Sequence, residues 1–507
     1  MAQEIEIKLS VEPEHASRLW GVLARHQHPK PASRRLFSAY YDTPDWRLQS
    51  GGVALRLRRE GRRWMQTVKS AGVAAGGLHR RAEHETEVPA QLPSFPALVE
   101  AGFSELVADR QTREALQVAF TTEFRRSSTL IRPRAGTIIE VSLDRGAIAA
   151  GERRDPICEV ELELKAGETD ALFDLALEIA RALPVRLDNR SKAQRGYALA
   201  ARIEPAPVKA STPPLSADMT PDDAFVAVAL HCLAHLQANE IGLLAGRNPE
   251  YLHQARVASR RLRSAFRVFD AAIPRSHFAR ALGELKSVAQ SLGEARDLDV
   301  FALETLPHAG SGQHGGVAAL RRRIQNARLR AARIARTAVA APEYTATLLR
   351  MTQALWTGQW RSETARPVAA NWTLAKFAAK IVSHRTTRVK KCGRSVSRLG
   401  VADLHRLRIQ VKRLRYAIEF FLPLFEDKAA ATLHALVDLQ ELLGRFNDDV
   451  TAWKLLDTLA AEDSTTDYQQ AVGFLRGWCA RDGEQCRIQL VEVWKRFGDL
   501  PQWWRSI

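Results

Sequence analysis

The stretch EIEIKL, residues 4–9, alternates strictly between charged and apolar side chains. Because successive side chains of a β-strand point to opposite faces, Glu4, Glu6 and Lys8 share one face and the aliphatic residues share the other. The pattern therefore predicts a strand with one apolar and one ionic face. An ordinary half-solvated strand would show the same alternation, so the rest of the chain must decide what the ionic face is for.

Other segments of the first 204 residues repeat this charged face. They are VALRLRR with Arg56 and Arg58, RWMQTVK with Lys69, and CEVELELK with Glu159, Glu161 and Glu163. Like charges on neighbouring strand positions repel each other, so runs of one sign are unfavourable on a solvated sheet. A closed barrel with an ionic lumen explains the pattern better than a solvated face does.

Such a lumen has the groups needed for phosphoryl transfer to water. Glutamates suit Mg²⁺ or Mn²⁺, which prefer carboxylate oxygens. Arginine binds phosphate through a bidentate fork, and lysine binds it as a point charge. No Walker A sequence is present, so a P-loop site is not supported.

The length, composition and net charge of the chain predict the number of domains and the charge of its partner. A chain of 507 residues, with 46% hydrophobic and 26% charged residues, predicts two or three globular domains. Residues 1–204 contain 31 basic and 28 acidic residues (+3), and the remainder contains 43 and 29 (+14), which together give the net charge of +17. The basic second half predicts a polyanionic partner: nucleic acid, an anionic membrane or polymeric phosphate.

Two further features predict a cytoplasmic protein. No apolar run approaches the roughly 18 residues that span a bilayer, and the amino terminus lacks a signal-peptide core. The five cysteines are scattered, without a CxxC pair, and are expected to be reduced and structural.

A proline-rich stretch separates two kinds of sequence. EPAPVKASTPPLSADMTPDD, residues 204–223, contains five prolines and reads as an extended linker. Period-2 patterns dominate before it and helical periods after it. The predicted organisation is multidomain α+β: a mainly β domain over 1–204, a linker over 205–220 and an all-α domain over 221–507.

The helical half contains an internal repeat. HQARVASRRLR begins at His253 and HRLRIQVKRLR at His405, and each is followed by a second shared element, LGEARDLDV from Leu292 or LGRFNDDV from Leu443. A tandem duplication, with copies at about 221–345 and 370–495, is the interpretation. Asp297 and Asp448 in the second element are explained sufficiently as caps of the following helix.

Three predicted helices carry a polar stripe of one sign. The stripes are His253, Arg256, Arg260, Arg263 and Arg267; His405, Arg408, Lys412 and Arg415; and Lys380, His384, Arg388, Lys391 and Arg398. They lack the acidic residues of a solvated face, although a solvated face remains the alternative, above all for the third stripe. Few aromatic or amide side chains are interleaved to stack or read bases, so a polymer of phosphate suits the predicted groove better than nucleic acid does.

The first half resembles the CYTH superfamily of triphosphate tunnel metalloenzymes. EIEIK matches its ExExK signature, and later motifs follow in the family order: LRLRR (55–59), Lys69, LHRRAEHE (78–85), FTTEFRR (120–126), IIEVSLDRG (138–146), EVELEL (159–164) and SKAQRGY (191–197). The resemblance implies an eight-stranded antiparallel tunnel with flanking helices that hydrolyses a triphosphate with Mg²⁺ or Mn²⁺. The class IV adenylate cyclase reaction, which shares this fold, stays open.

The resemblance also implies roles for individual residues. The implied metal ligands are Glu4, Glu6, Glu161 and Glu163, with Glu159 close by. The implied triphosphate ligands are Lys8, Arg56, Arg58, Lys69, Arg126 and Lys192, and the catalytic group is Glu4, Glu6 and Lys8. Further carboxylates that match the family are Glu140, Asp144, Glu83 and Glu85. Arg126 is preferred to Arg125, whose strand parity is opposite.

The repeated HxxR(V/I)xxKRLR and LGxxRD or LGxxND motifs resemble the CHAD domain, the conserved-histidine helical domain, over about 221–507. This resemblance implies two four-helix bundles related by pseudo-twofold symmetry that bind inorganic polyphosphate, with a location at polyphosphate granules. The combined prediction is a metal-dependent triphosphatase tethered to a polyphosphate-binding domain, with no specific nucleic acid and no membrane partner. The alternatives are a non-catalytic granule adaptor and a nucleic-acid-binding protein with nucleotide or RNA triphosphatase activity.

Overall fold

The structure is a computed structural model of the 507-residue chain. It describes residues 2–26, 28–70, 72–89, 91–100, 102–104, 108–246, 248–308, 316–362, 369, 372–461 and 463–506. The chain forms two compact units. The first, called the tunnel unit, consists of Met1–Ala206 and Ala341–Thr357; the second, called the helical unit, consists of Pro207–Ala340 and Gly358–Ile507.

The tunnel unit is built around one antiparallel sheet. Its strands are β1 (Ala2–Val11), β2 (Ala32–Asp42), β3 (Val53–Glu60), β4 (Arg63–Ser70), β5 (Val73–Ala75), β6 (Leu78–Val88), β7 (Gln117–Ile131), β8 (Ile138–Ala150), β9 (Arg153–Ala166) and β10 (Val185–Leu187). The strand order is β1-β9-β8-β7-β2-β3-β4-β6, and pairing of β6 with β1 closes the ring. The predicted eight-stranded antiparallel barrel is confirmed, with β5 and β10 as short additions on β6 and β1.

The alternating sequence of the strands determines which residues face the lumen. On β1, Ile7 and Leu9 are completely buried on the outer face, where helix α1 (Thr169–Ala182) packs against the strand. Helix α2 (Lys192–Ala200) contacts β7, β8 and β9. Shorter helices also flank the barrel: Pro13–Ala16, Leu19–Leu23, Arg47–Ser50, Phe95–Glu100 and Arg110–Glu114.

The helical unit contains long helices with short connections. They are α3 (Pro221–Ala245), α4 (Pro249–Val268), α5 (Ala279–Val300), α6 (Val317–Ala340), α8 (Leu374–Cys392), α9 (Val401–Ala460) and α10 (Thr466–Gly498). Helix α5 continues through a π-helical turn, Phe301–Thr305, into Leu306–His308, and short 3-10 turns lie at Arg275–Phe278, Gln359–Ser362, Val396–Arg398 and Trp503–Ser506. Helix α9 is kinked where Phe425 leaves helical geometry, two residues after Pro423. The predicted all-helical second region is confirmed.

One helix of the second half belongs to the tunnel unit. Helix α7 (Pro342–Thr357) lies against α1 and β10, where the Thr345 hydroxyl donates to the carbonyl of Val185 at 3.0 Å. The amide of Gln353 donates to the carboxylate of Asp170 at 2.6 Å. A Cβ on Gly76, whose φ is +66°, would lie 2.0 Å from the hydroxyl oxygen of Thr352. The tunnel unit is therefore assembled from two separate parts of the chain.

The proline-rich stretch is extended and hydrogen-bonded to the helical unit from Val208 onward. The backbone N–H of Val208 donates to the side-chain oxygen of Asn239 at 3.0 Å, and the amide of Asn239 donates back to the Val208 carbonyl. The Arg261 guanidinium donates to the carbonyl of Ser211 at 3.0 Å. Backbone groups that helices and sheets leave unpaired are satisfied in this way.

Helix α3 is long and apolar enough, by length and composition, to cross a membrane, so the expectation that no segment approaches this limit is wrong. However, 67% of its apolar window is buried inside the protein. Phe225, for example, packs against Phe266 of α4 with ring centroids 5.0 Å apart. Packing in the helical core therefore accounts for its composition.

Candidate functional site

The barrel lumen contains a cavity of about 330 Å³ lined by charged side chains from most of its strands. The predicted lumen residues on its wall are Glu4, Glu6, Lys8, Arg56, Arg58, Lys69, Arg126, Glu161, Glu163 and Lys192. Strand register explains their convergence, because Lys8 lies directly opposite Glu161 and Arg126 directly opposite Asp144. Residues directly opposite each other in an antiparallel pair project to the same face.

Glu161 is the centre of the carboxylate side of the lumen. Its carboxylate accepts hydrogen bonds from Lys8, from Arg126 and, at 2.9 Å, from Lys192. Asp144, Glu159 and Glu161 are all buried, and one oxygen from each lies within 4.8 Å of the others. Three convergent carboxylates are a donor set that suits a hard divalent cation. Of the four ligands predicted from the sequence, only Glu161 belongs to this group.

The two predicted ligands on β1, Glu4 and Glu6, face an arginine. The Arg81 guanidinium donates to Glu4 and to Glu6, each at 2.7 Å. The Lys69 ammonium lies 3.0 Å from Glu4, and Lys8 lies 3.2 Å from Glu6. Glu4 and Glu6 are thus adjacent to each other across a shared cation.

The charges of the lumen stabilise one another. Burial alone would raise the pKa of Glu161, but Lys192, Lys8 and Arg126 hold that pKa well below its usual range. Burial would likewise raise the pKa of Glu4, and the charges of Lys69 and Arg81 outweigh it. The carboxyl groups of Glu161 and Glu4 are therefore ionised at neutral pH, as ligands of a metal ion must be.

The opposite wall is cationic and only partly neutralised. The nearest carboxylate oxygens to Arg56 belong to Glu83 and Glu85, at 3.7 and 3.9 Å, and the Nε of Arg56 is buried without a hydrogen-bond partner. Burial and the charge of Arg56 lower the pKa of Arg58 to about 10, and its Nε is also unpartnered. Buried donors without acceptors are unfavourable, so this wall is suited to bind an anion.

The remaining lumen predictions occupy distinct places. Glu163 and Glu140 share the ammonium of Lys165, at 2.6 and 3.3 Å. Arg125 lines a small outer pocket with Trp20, so Arg126 is the residue of this pair that lies in the lumen.

Several basic residues of the lumen region are missing from the sequence-based prediction, among them Arg81, Lys165 and Arg195. Arg195 donates to Asp155 at 2.8 Å and to Glu159 at 3.4 Å. Arg81 lies two residues before Glu83, on the same face of β6. Strand parity with Glu83 was therefore a usable signal for Arg81, whereas its partners follow only from the closure of β6 on β1.

In the helical unit, the first two stripes meet at their centres. Arg256 donates to Asp297 at 3.2 Å, and the Arg260 guanidinium lies over the ring of Tyr416, 5.6 Å from its centroid. Burial, followed by the charges of Arg260, Arg408 and Arg256, lowers the pKa of Lys412 to about 6. We call Arg256, Arg260, Arg408 and Lys412 the central basic cluster.

The acidic residues of the repeated element do not cap helices. Asp297 lies inside α5 and Asp448 inside α9, so the capping interpretation is wrong. Burial raises the pKa of both carboxyl groups, and Arg256 and Arg408 are the main charges that oppose this. They partly balance the central basic cluster from within.

The starting histidines of the stripes have different surroundings. Burial, together with the charge of Arg296, lowers the pKa of His253 to about 4. His405 is exposed and its Nδ1 lies 2.9 Å from the side-chain oxygen of Asn447. His253 is therefore neutral at pH 7.

The ends of the stripes are more dispersed. Arg415 and Arg261 both bind Glu419, at 2.6 and 2.7 Å. The third stripe, apart from Arg398, lies on α8, where Lys380 is exposed and packs over Trp372, 4.4 Å from the ring centroid. Arg398 lies in the 3-10 turn Val396–Arg398, beyond the end of α8 at Cys392, so its predicted place on this helix is wrong. The other predicted members on the helices are Arg263, Arg267, His384, Arg388 and Lys391.

A neighbouring basic group was not predicted. Arg385 of α8 donates to the carbonyl of Arg267 at 2.7 Å. Burial and the charges of Arg413, Arg267 and Arg388 lower the pKa of Arg385 to about 10. This group connects the first stripe with the third.

Comparison with known proteins identifies both units. A model described as CYTH domain matches residues 2–197, and one described as CHAD domain matches residues 227–457. An inorganic triphosphatase from Haemophilus influenzae is 34% identical over 210 residues, which are 40% of this chain and 56% of that protein. The chain thus spans little more than half of that relative.

A solved structure supports the second assignment. The CHAD domain from the plant Ricinus communis is 32% identical, with a TM-score of 0.51, and the match covers 59% of this chain and 98% of that domain. The chain therefore belongs to the proteins in which a CYTH domain, here residues 2–197, is followed by a CHAD domain, here residues 227–457.

Proposed function

We propose that this protein is a metal-dependent inorganic triphosphatase whose helical unit binds inorganic polyphosphate. The observation that carries the first part is the divided lumen: buried carboxyl groups converge around Glu161 on one side, and under-neutralised guanidinium groups line the other. The relative from Haemophilus influenzae bears the name of this activity. A triphosphate with its divalent cation has the charge distribution that this lumen would bind.

The lumen carboxylates fit Mg²⁺ or Mn²⁺. Glu161 with Asp144 and Glu159 would hold one ion, and Glu4 and Glu6 supply further oxygen ligands beside it. A bound ion of this kind neutralises phosphate charge and lowers the pKa of a coordinated water. The ammonium groups and Arg81, which now bind these carboxylates, would have to exchange partners when an ion is loaded.

The residues of the chain would bind and orient the substrate. Lys8, Lys69, Arg126 and Lys192 can turn from the carboxylates to phosphate oxygens over short distances. Arg56 and Arg58 have free donor capacity from the start. Such positioning accounts for most of the catalysis in phosphoryl transfer.

Polyphosphate binding by the helical unit is supported by the central basic cluster. Its side chains come from both repeated motifs, as expected if two four-helix bundles related by pseudo-twofold symmetry share one groove. Regularly spaced phosphate charge without bases matches a groove with few aromatic groups. We include cytoplasmic polyphosphate granules as the location in this proposal.

One observation favours a second candidate, a non-catalytic polyphosphate adaptor. Lys192 binds Asp144 and Glu161 at 2.7 and 2.9 Å and also contacts Glu159, so its ammonium already occupies the centre of the carboxylate group. A lysine that stayed there would exclude a metal ion.

Phosphate release from inorganic triphosphate separates the two candidates. The protein is expected to release phosphate with Mg²⁺ or Mn²⁺ and to stop when EDTA is added, because the lumen carboxylates then lose their cation. Polyphosphate binding measured in the same preparation serves as the control for folding. Binding without any release under either metal would establish the adaptor instead.

Polyphosphate affinity is expected to rise as the pH falls from 8.5 to 6. In the free protein Lys412 has a pKa of about 6, and bound phosphate would raise this pKa. Binding therefore takes up a proton at any pH between the pKa of the free protein and that of the complex. The affinity should increase by at most about tenfold per pH unit and level off below pH 6. Isothermal titration at each pH measures the affinity. Long-chain polyphosphate is used because it has few end groups, so their titration contributes little.

Lys412→Arg is the matched control, because its guanidinium stays charged throughout. The variant should bind more tightly at pH 8 and show a flatter pH dependence. An equal slope in both proteins would show that Lys412 is not the titrating group.

A further inference from the structure

Helix α6, with the sequence VAALRRRIQNARLRAARIARTAVA, carries seven arginines and no acidic residue. It is not one of the helices marked by the repeated motifs, and no part of it belongs to the central basic cluster. The helix is therefore a further concentration of positive charge in the helical unit, besides the central basic cluster and the stripe on α8.

The inner face of this helix is accounted for by packing and ion pairs. Leu320 and Ile324 are buried, and α6 packs against α5. Arg323 donates to Asp463 at 2.9 Å and Arg328 donates to Asp299 at 2.5 Å. Two of the seven arginines thus have a structural role.

The outer face differs. Arg322, Arg330 and Arg333 are exposed, and at about 100° per residue they lie within an arc of about 80°. Within the part of the chain that the structure describes, no acidic side chain forms an ion pair with any of them. Arg330 and Arg333 are three residues apart, a spacing at which like charges destabilise a helix, so this pair is unfavourable without a bound anion.

The chemistry of the stripe favours phosphate. Guanidinium groups bind phosphate oxygens through paired N–H donors, and all the charged groups of α6 are guanidiniums. The helix has no aromatic residue that could stack on a nucleobase or anchor it in a lipid interface, although Leu329 and Ile334 are exposed.

We propose that Arg322, Arg330 and Arg333 form a second polyphosphate site, the outer arginine stripe, separate from the central basic cluster. The inference rests on the proposed polyphosphate binding and extends it. A protein with two separate sites holds two segments of polymer. Long chains would then be crosslinked into large assemblies, whereas short chains would occupy the sites singly.

The test compares Arg322→Gln/Arg330→Gln/Arg333→Gln with a control of equal charge change, Arg62→Gln/Arg134→Gln/Arg181→Gln, at exposed arginines of the tunnel unit. Light scattering is measured on mixing the full chain with long-chain polyphosphate, and affinity is measured with short-chain polyphosphate. The stripe variant should lose at least tenfold in scattering and keep its tightest short-chain affinity within about twofold, while the control scatters like the unaltered protein.

Three results would overturn the inference. First, the stripe variant could scatter as strongly as the control, which would show that the stripe does not take part in assembly. Second, it could lose short-chain affinity as fully as a variant of the central basic cluster, which would show that the stripe and the cluster are one site. Vesicles containing anionic lipid could require the stripe while polyphosphate assembly does not, which would assign it to a membrane. Failure of the unaltered protein to bind polyphosphate at all would instead refute the proposed function itself.

Discussion

Glu161→Gln is expected to lower triphosphate hydrolysis by about 10²–10³-fold, the size of loss seen when one preorganised electrostatic group is removed from an active site. Glutamine preserves the shape of the side chain but removes the charge that Lys8, Arg126 and Lys192 share. It also removes one oxygen donor from the group formed with Asp144 and Glu159. The rate of phosphate release with saturating Mg²⁺ or Mn²⁺ measures the loss.

A second measurement tests the reason for this loss. In EDTA, the variant should bind triphosphate at least as tightly as the unaltered protein, because a negative charge has been removed from an anion site. Glu123→Gln, on the exposed outer face of β7, is the matched control and should leave both quantities unchanged. Equal activity of Glu161→Gln and the control would remove Glu161 from the proposed site.

Arg260→Glu combined with Lys412→Glu is expected to abolish polyphosphate binding by the central basic cluster while hydrolysis of triphosphate continues. Both side chains lie near Arg256 and Arg408, so charge reversal would turn attraction into repulsion worth several kcal/mol, or on the order of 10²–10³-fold in affinity. Titration with short-chain polyphosphate at matched salt measures the change, and phosphate release in the same sample shows that the protein is folded.

Arg260→Gln combined with Lys412→Gln provides a milder version in which no new carboxylate faces Asp448. Its affinity should fall less, and its dependence on salt should become shallower because fewer counterions are released on binding. An unchanged affinity and salt dependence would show that polyphosphate binds elsewhere on the helical unit.

Alternation along single strands predicted much of the lumen. EIEIKL and CEVELELK each specify one ionic face, and the parity of Arg126 against Arg125 separates the lumen from the outer surface. Local sequence is sufficient for this because the side-chain period of a strand is two. The pairing of Arg81 with Glu4 and Glu6 depends on the contact of β6 with β1, which residues far apart in sequence create.

The helices show the same limit. Periodicity placed the two repeated stripes on amphipathic helices, but it could not show that Arg385 of α8 connects the first of them, at Arg267, with the third stripe. The capping interpretation of Asp297 failed because α5 continues beyond this residue into a π-helical turn, which the sequence motif does not reveal. Tertiary contacts, rather than local preference, decide these features.

The position of helix α7 imposes an order on the folding of a newly made chain. The strands are complete once Ala206 has been synthesised, yet the helix that packs on Val185 and Gly76 ends at Thr357, 151 residues later. At about 5–20 residues per second, the ribosome needs roughly 8–30 s to supply it. During that interval the nascent barrel has an uncovered face, and a chaperone that binds such surfaces would be expected to contact it there.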